Sequence, residues 1–172
     1  LNIYRRPLLY LNDLKQHDGV AILSPKIHLS EKEVETLYSY LEQGGKVVLS
    51  AHDEDTLRRF GNFFFKIGAS QYAESMEDES FENYKVETMV SDVDDEVFRS
   101  GEMYSFYSKI YFSHRPTCGK TKEVSCYYYS QEVGKGLVFL FLGLPLNSNS
   151  LINLDSNRFF AYRLARHAPS LL

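Results

Sequence analysis

The chain has 172 residues, a formal net charge of −4 at pH 7 and 44% hydrophobic residues. This length matches one ordinary domain with its own core, and the composition excludes disordered, collagen-like and disulfide-dense classes. The acidic balance argues against a nucleic-acid partner. The longest apolar run, 137–146, is too short to cross a bilayer. The sequence begins at Leu1 rather than Met, so we expect a segment of a longer protein whose membrane contacts come only through flanking segments.

The sequence from position 19 to 50 predicts a strand–helix–strand unit. Residues 20–23 (VAIL) form a short apolar run, which is typical of a strand buried on both faces. Ser30 and Glu33 have the spacing of a capping box, and apolar residues then recur at helical spacing. Two glycines end this helix, and residues 46–49 (KVVL) predict a second buried strand. Such a unit has parallel strands and a right-handed crossover, so we predict an α/β fold.

The next two regions differ in charge. Residues 53–68 predict a further helix that begins at an aspartate cap. Between residues 74 and 102, eleven carboxylates stand against two cations. This pattern is typical of a solvated loop, so we assign 69–102 as an acidic insertion within a single domain of residues 1–172. A loose divalent-cation site is the alternative, although SDVDDE at 91–96 is not followed by the glutamate of an EF-hand.

Two aromatic segments follow the acidic region. Residues 103–112 and 124–130 are rich in tyrosine and phenylalanine and predict two strands. Turn-forming residues lie between them, so we predict an antiparallel Tyr-rich hairpin appended to the parallel sheet. Residues 137–142 (LVFLFL) predict a central strand. The last helix is predicted to begin after a cap at Asp155 or Ser156.

Polar residues follow the predicted strands, where an α/β sheet places its ligand sites. We expect a ligand-binding site formed by Ser24, Ser50, His52, Asn149 and Asn157. No G-x-S-x-G motif accompanies them, and the G-K-G at 134–136 precedes a strand rather than the helix that a phosphate loop requires. The five histidines lack metal-ligand spacing. We therefore predict no catalytic residues, no metal site and no cofactor.

The two cysteines, Cys118 and Cys126, flank a predicted turn. Their spacing suits the opposite arms of a hairpin, which allows a disulfide bond. In a reducing compartment they would be two thiols instead. The cysteine count does not choose between these alternatives.

Two stretches carry a resemblance to a known family. They are residues 18–50, DGVAILSPKIHLSEKEVETLYSYLEQGGKVVLS, and residues 134–164, GKGLVFLFLGLPLNSNSLINLDSNRFFAYRL. The SP after the first strand, the LS-x-x-E helix start and the GG before the second strand resemble the domain-of-unknown-function family numbered 4350. The G-x-G before a strand and the D-x-N before the last helix are similar to that family's closing pattern.

This resemblance implies a doubly wound, mostly parallel, flavodoxin-like sheet. The family is related to class I glutamine amidotransferase-like domains and to a domain of gliding-motility and intraflagellar-transport proteins. It implies no known activity, because the amidotransferase G-x-C-x-G elbow is absent from this sequence. Members are commonly bacterial proteins held outside the cytoplasm by transmembrane segments. A periplasmic, envelope-associated location is therefore expected.

Three functional hypotheses follow. The leading one is a non-enzymatic domain that binds a small molecule or a protein. The first alternative is a hydrolase or transferase that uses His52 with Asp53 or Asp55. The second is an assembly module that pairs through the edge of its Tyr-rich hairpin. An enzyme should place His52 within hydrogen-bond reach of a carboxylate, whereas a binding module needs no such pair.

Overall fold

The computed structural model describes residues 14–15, 19–68, 73–75, 86–95, 97–112, 123–143 and 151–167. The strands are β1 (Val20–Leu23), β2 (Lys46–Ala51), β3 (Ala73–Ser75), β4 (Glu87–Val90), β5 (Met103–Phe106), β6 (Ile110–Phe112), β7 (Tyr128–Val133) and β8 (Gly136–Leu142). The α-helices are α1 (Glu31–Glu42), α2 (Glu54–Arg58), α3 (Phe63–Lys66) and α4 (Asn157–His167), and a 3-10 helix covers Val124–Cys126. Within these ranges no helix combines the length and the apolar composition that crossing a membrane requires.

The largest sheet has the strand order β1-β2-β8-β7. Strand β2 is parallel to both β1 and β8, whereas β7 is antiparallel to β8. Its register places Leu23 beside Ser50, and Ala51 beside Leu142. The three parallel strands therefore end at the same edge of the sheet. The fold is mixed α/β with a mostly parallel sheet, as the sequence predicted at this coarser level.

The predicted strand–helix–strand unit is confirmed in β1, α1 and β2. Ser30 and Glu33 form the capping box: the Glu33 N–H donates to the Ser30 hydroxyl, and the Ser30 N–H donates to the Glu33 carboxylate. Gly44 follows the helix with φ +102°, a conformation that glycine adopts without strain. One detail of the prediction was wrong. Strand β1 was expected to be buried on both faces, but its residues are half-buried and Leu23 is exposed, because β2 is its one neighbour among the described strands.

Different layers cover the two faces of the sheet. Helix α1 packs on β2 and β8. On the opposite face, the Phe141 ring contacts Phe98, Phe106 and Phe160, which belong to the 97–106 segment and to α4. Side chains alternate between the faces of a strand, so the neighbouring Leu140 points toward the α1 side. The sheet is therefore the middle layer of three.

The Tyr-rich hairpin is present, but its second strand is not the predicted one. Strand β7 pairs with β8 across the turn at Gly134, which has φ +61°. The segment 103–112 is split instead into β5, which pairs with β4, and β6, which pairs with β3. The split has a local cause: the Ser108 hydroxyl donates to the Ile110 carbonyl and accepts from the Ile110 N–H. This side-chain turn interrupts the extended backbone.

Two further elements differ from the predictions. The helix predicted over 53–68 is two short helices, α2 and α3, because the chain turns at Gly61 with φ +61°. The acidic region 69–102 was expected to be a loop, and its described part contains β3 and β4. Both strands pair with the aromatic segment 103–112. That pairing explains how strands form in a region rich in carboxylates.

Candidate functional site

The candidate site lies where the parallel strands end. Ser24, His52 and Gly143 each follow directly after a strand, namely β1, β2 and β8. The Ser24 N–H donates to the Ser50 carbonyl at 2.9 Å, which continues the β1–β2 ladder one step beyond the strand. This hydrogen bond fixes the Ser24 backbone beside β2. The carboxyl edge of a parallel sheet is where α/β domains bind their ligands.

Ser24, His52 and Asp53 form a row of three polar side chains at this edge. The Ser24 hydroxyl oxygen lies 3.3 Å from Nδ1 of His52. The other ring nitrogen, Nε2, lies 3.3 Å from the Asp53 carboxylate. The His52 side chain is 20% exposed and that of Asp53 is 35% exposed, so a ligand can reach both. The row joins a hydroxyl, an imidazole and a carboxylate.

Asp53 is held in place by helix α2. It is the N-cap residue, and its carboxylate accepts a hydrogen bond of 2.7 Å from the Thr56 N–H. Burial acts to raise the pKa of Asp53, but the Thr56 hydrogen bonds and the nearby His52 and Arg59 together lower it below its ordinary value. Asp53 is therefore ionised at neutral pH. An ionised carboxylate favours a proton on the facing Nε2, which leaves Nδ1 as an acceptor for the Ser24 hydroxyl.

Contacts from other elements hold His52. Its carbonyl accepts a hydrogen bond of 2.8 Å from the Lys109 N–H, and its ring lies 6.3 Å from the buried Tyr107 ring. On the other side, the Arg59 guanidinium donates to the Pro25 carbonyl at 2.7 Å and secures the turn after Ser24. The 107–109 turn is part of the site that sequence patterns did not reveal. It contributes the Lys109 N–H, a backbone group that leaves no residue-type signal, and the Tyr107 ring, which in the sequence is one of many aromatic residues.

Ser24 has an unusual backbone conformation. Its φ is +46°, and among the described residues Asp155 is the other non-glycine residue with positive φ. This region is unfavourable for residues with a Cβ atom. Such conformations recur at functional sites, where the surrounding structure holds them. Here the hydrogen bond to Ser50 and the fixed Pro25 carbonyl hold the turn.

The structure separates the five residues predicted to form the site. Ser24 and His52 are brought together, but Ser50 is buried and its hydroxyl donates to the Gly143 carbonyl at 2.6 Å. Asn157 is fully buried, and its side-chain amide bonds to the backbone of Ser105 and Leu151. Their side chains are thus directed into the protein rather than to a ligand. Asn149 lies outside the described residues.

Asp53 and Asp55, the two carboxylates predicted as partners of His52, differ in their contacts. Asp53 faces the ring, as described above. Asp55 is exposed and lies 3.9 Å from the Arg58 guanidinium on the same helix. Of the two, Asp53 is therefore the partner of His52. In the described part of the chain, no group of three or more His, Cys, Asp or Glu side chains could hold a metal ion.

A second polar cluster stabilises the layer opposite α1. Arg163 of α4 donates to Glu102 at 2.7 Å and 2.9 Å and to the Tyr104 hydroxyl at 3.0 Å. The Arg163 hydrogen bonds are the main cause that lowers the pKa of Glu102. Burial, followed by the hydrogen bond to Glu102, raises the pKa of Tyr104 to about 12. All three groups bond one another, so this cluster is structural.

Cys126 is buried in the 3-10 helix before β7 and is disulfide-bonded. The other cysteine of the chain, Cys118, lies outside the described residues. Cys126 therefore holds the disulfide at the start of the Tyr-rich hairpin, just before β7.

Comparison with known proteins gives a fold but no family. No family model and no curated protein matches the sequence. Among solved structures, the chain is similar to the mmIFT52 N-terminal domain, with a TM-score of 0.62, 13% identity and coverage of 92% of this chain and 80% of that one. It is also similar to Gan42B, a GH42 beta-galactosidase, with a TM-score of 0.51, 14% identity and coverage of 90% of this chain and 22% of that one. At these identities the likeness concerns the fold alone.

Proposed function

We propose that this chain is a ligand-binding α/β domain whose site is the row formed by Ser24, His52 and Asp53. The observation that carries the proposal is the pair of 3.3 Å distances that join the three side chains at the carboxyl edge of the parallel sheet. All three residues are partly exposed to solvent, so a ligand can contact each of them. Polar groups in a row at this edge supply several directed contacts to one small molecule.

The charge of the site indicates which ligands fit. Asp53 is ionised, so an anionic ligand beside it is disfavoured. The Ser24 hydroxyl and the His52 ring can each donate or accept a hydrogen bond. A small neutral molecule with hydroxyl, amide or ester groups meets these requirements. We therefore propose a neutral polar ligand rather than a phosphate or a carboxylate.

The assembly hypothesis has weaker support. Pairing at the hairpin edge would use the outer edge of β7, the last strand of the described four-stranded sheet, but the strand adds no exposed tyrosine surface for a partner, because Tyr128 is buried and Tyr129 is half-buried. Both residues pack in or against the hydrophobic core. The tyrosines of β7 are thus explained by packing within the domain.

The finer classification and the location are parts of the same proposal. We assign the sheet to the flavodoxin-like, class I glutamine amidotransferase-like group on the sequence resemblance, and the parallel order β1-β2-β8 is compatible with it. We also propose a location outside the cytoplasm in a bacterial envelope protein. The disulfide at Cys126 supports an oxidising compartment. Alkylation and mass analysis of protein from its native cell should recover no free thiol, and two free thiols would contradict this location.

The binding site can be tested by NMR. Labelled protein would be titrated with two sets of small probes, neutral hydroxyl and amide compounds in one and carboxylates of matched size in the other. We expect neutral probes to shift the His52 ring and Ser24 amide signals, and His52→Ala to abolish the shifts. The matched control is His28→Ala, which removes an exposed histidine of the loop before α1. Shifts confined to other surfaces, or unchanged in His52→Ala, would overturn the proposed site.

A further inference from the structure

We infer that Ser24 is a nucleophile and that the site hydrolyses small neutral acyl esters. This inference rests on the proposed function, because it assigns a reaction to the same three side chains.

The order of the three groups is the one that nucleophilic catalysis by serine needs. A serine hydroxyl is weakly nucleophilic, and an adjacent base activates it by accepting its proton. Nδ1 of His52 lies 3.3 Å from the Ser24 hydroxyl, and Asp53 faces the other ring nitrogen at 3.3 Å. The carboxylate orients the ring and stabilises the imidazolium that forms during the reaction. Contacts of this kind are often long without substrate and shorten in the reacting complex.

The backbone of Ser24 supports this role independently. The residue ends a parallel strand in a positive-φ turn, a conformation that costs energy for any residue with a Cβ atom. Glycine would adopt this φ without strain, so the fold alone gives no reason for serine here. A turn at the end of a strand directs the hydroxyl away from the sheet and toward His52. Nucleophilic serines of α/β hydrolases also stand in a strained turn after a strand; there the turn leads directly into a helix, whereas here helix α1 begins only at Glu31.

The proposed reaction has two balanced steps. In the first, the Ser24 oxygen forms a bond to the ester carbonyl carbon while its proton passes to Nδ1 of His52. The bond from carbon to the leaving oxygen then breaks, and the alcohol departs with the proton from His52. In the second, water attacks the acyl-Ser24 ester, its proton passes through His52 to the Ser24 oxygen, and the carboxylic acid is released. The net reaction converts an ester and water into an acid and an alcohol.

The substrate class follows from the charge and the accessibility of the site. The ionised Asp53 disfavours anionic esters. The His52 side chain is 20% exposed, so a small acyl group can approach it. Acetyl esters of nitrophenol are suitable probes, because their leaving group departs without strong acid assistance.

The test uses a fluorophosphonate probe, which reacts with activated serines, and p-nitrophenyl acetate as substrate. We expect one probe adduct per chain on the peptide that contains Ser24. Ser24→Gly should abolish the adduct while keeping the fold, because glycine relieves the positive φ. His52→Gln should slow labelling and hydrolysis about 100-fold. Ser130→Ala removes an exposed hydroxyl of β7 and should change neither rate.

The outcomes separate this inference from the proposed function. Absence of an adduct in folded protein, or labelling that persists in Ser24→Gly, would overturn the nucleophile. If neutral probes then still shift the His52 signals, the binding proposal stands alone. If they do not, both fail. A labelling rate that rises with pH in one titration, and loses this dependence in His52→Gln, would identify His52 as the base.

Discussion

The side-chain amide of Asn157 brackets the backbone of Ser105. Its oxygen accepts from the Ser105 N–H at 3.0 Å, and its nitrogen donates to the Ser105 carbonyl at 2.6 Å. The same nitrogen donates to the Leu151 carbonyl at 2.8 Å. The amide thus forms the two backbone hydrogen bonds to β5 that a residue of a neighbouring strand would form. Asn157 is the first residue of helix α4, so these hydrogen bonds fix the start of the helix beside β5.

Asn157→Ala should therefore destabilise the protein strongly. Three hydrogen bonds disappear, and the backbone groups of Ser105 are left buried without their partner. We expect a loss of about 3 kcal/mol in the free energy of unfolding, measured by urea denaturation. Asn62→Ala is the matched control, because Asn62 is exposed and makes no side-chain cap hydrogen bond. Equal losses in the two variants would show that the bracket contributes little.

The Glu102–Arg163 pair should make stability depend on pH on the acid side. The pKa of Glu102 in the folded protein is below its ordinary value of 4.5, so its contribution is complete above that value and is lost as pH falls through the folded pKa. We expect Glu102→Gln to lower the free energy of unfolding by about 1 kcal/mol at neutral pH. The difference from the original protein should shrink toward zero as pH falls below the ordinary value of 4.5 and through the lowered pKa of the folded protein. A difference that stays constant down to acid pH would contradict the lowered pKa.

Gly136 should tolerate no side chain. A Cβ atom there would lie 2.3 Å from the carbonyl oxygens of Gly45 and Leu41, which belong to the end of α1 and the turn after it. We expect Gly136→Ala to cost about 3 kcal/mol, measured by thermal and urea unfolding. Gly101→Ala is the control, because Gly101 has φ +81° but open space around it, so about 1 kcal/mol of backbone strain is expected. Similar losses in both variants would show that β8 can move away from α1.

Ser50 and Ser24 should respond in opposite ways to substitution. Ser50→Ala removes a buried hydrogen bond to the Gly143 carbonyl, so we expect a loss of about 1–2 kcal/mol in stability. The shifts of the His52 signals with neutral probes should persist in this variant. Ser24→Gly should be at least as stable as the original protein, since it relieves a positive φ. Loss of probe binding in folded Ser50→Ala would place Ser50 in the site after all.

The sequence predicted only part of the candidate site correctly. Both Ser24 and His52 were predicted to lie near strand ends, because they follow the apolar runs 20–23 and 46–49; β2, however, continues to Ala51. Ser50 has the same polar character as Ser24 but lies within β2, where its side chain points inward. Polarity alone does not distinguish the two. The prediction of Asn149 as a site residue remains a prediction.

The sequence by itself determined the β1–α1–β2 unit, because the capping box, the helical spacing of apolar residues and the terminal glycines all act over a few residues. It also predicted strands at 124–130 and 137–142 from their aromatic and β-branched residues; these overlap β7 and β8, although residues 124–126 form the 3-10 helix instead. Only the tertiary structure decided that β8 pairs with β2 and that the two parts of 103–112 pair with β3 and β4, since these partners lie far apart in the chain. The Tyr-rich β7 pairs with β8 rather than with 103–112 because the two-residue turn at 134–135 closes a hairpin at once, whereas Ser108 interrupts the other segment. The same long-range packing turned Asn157 inward and set Ser24 against His52, so local sequence could name the site's residues but not their contacts.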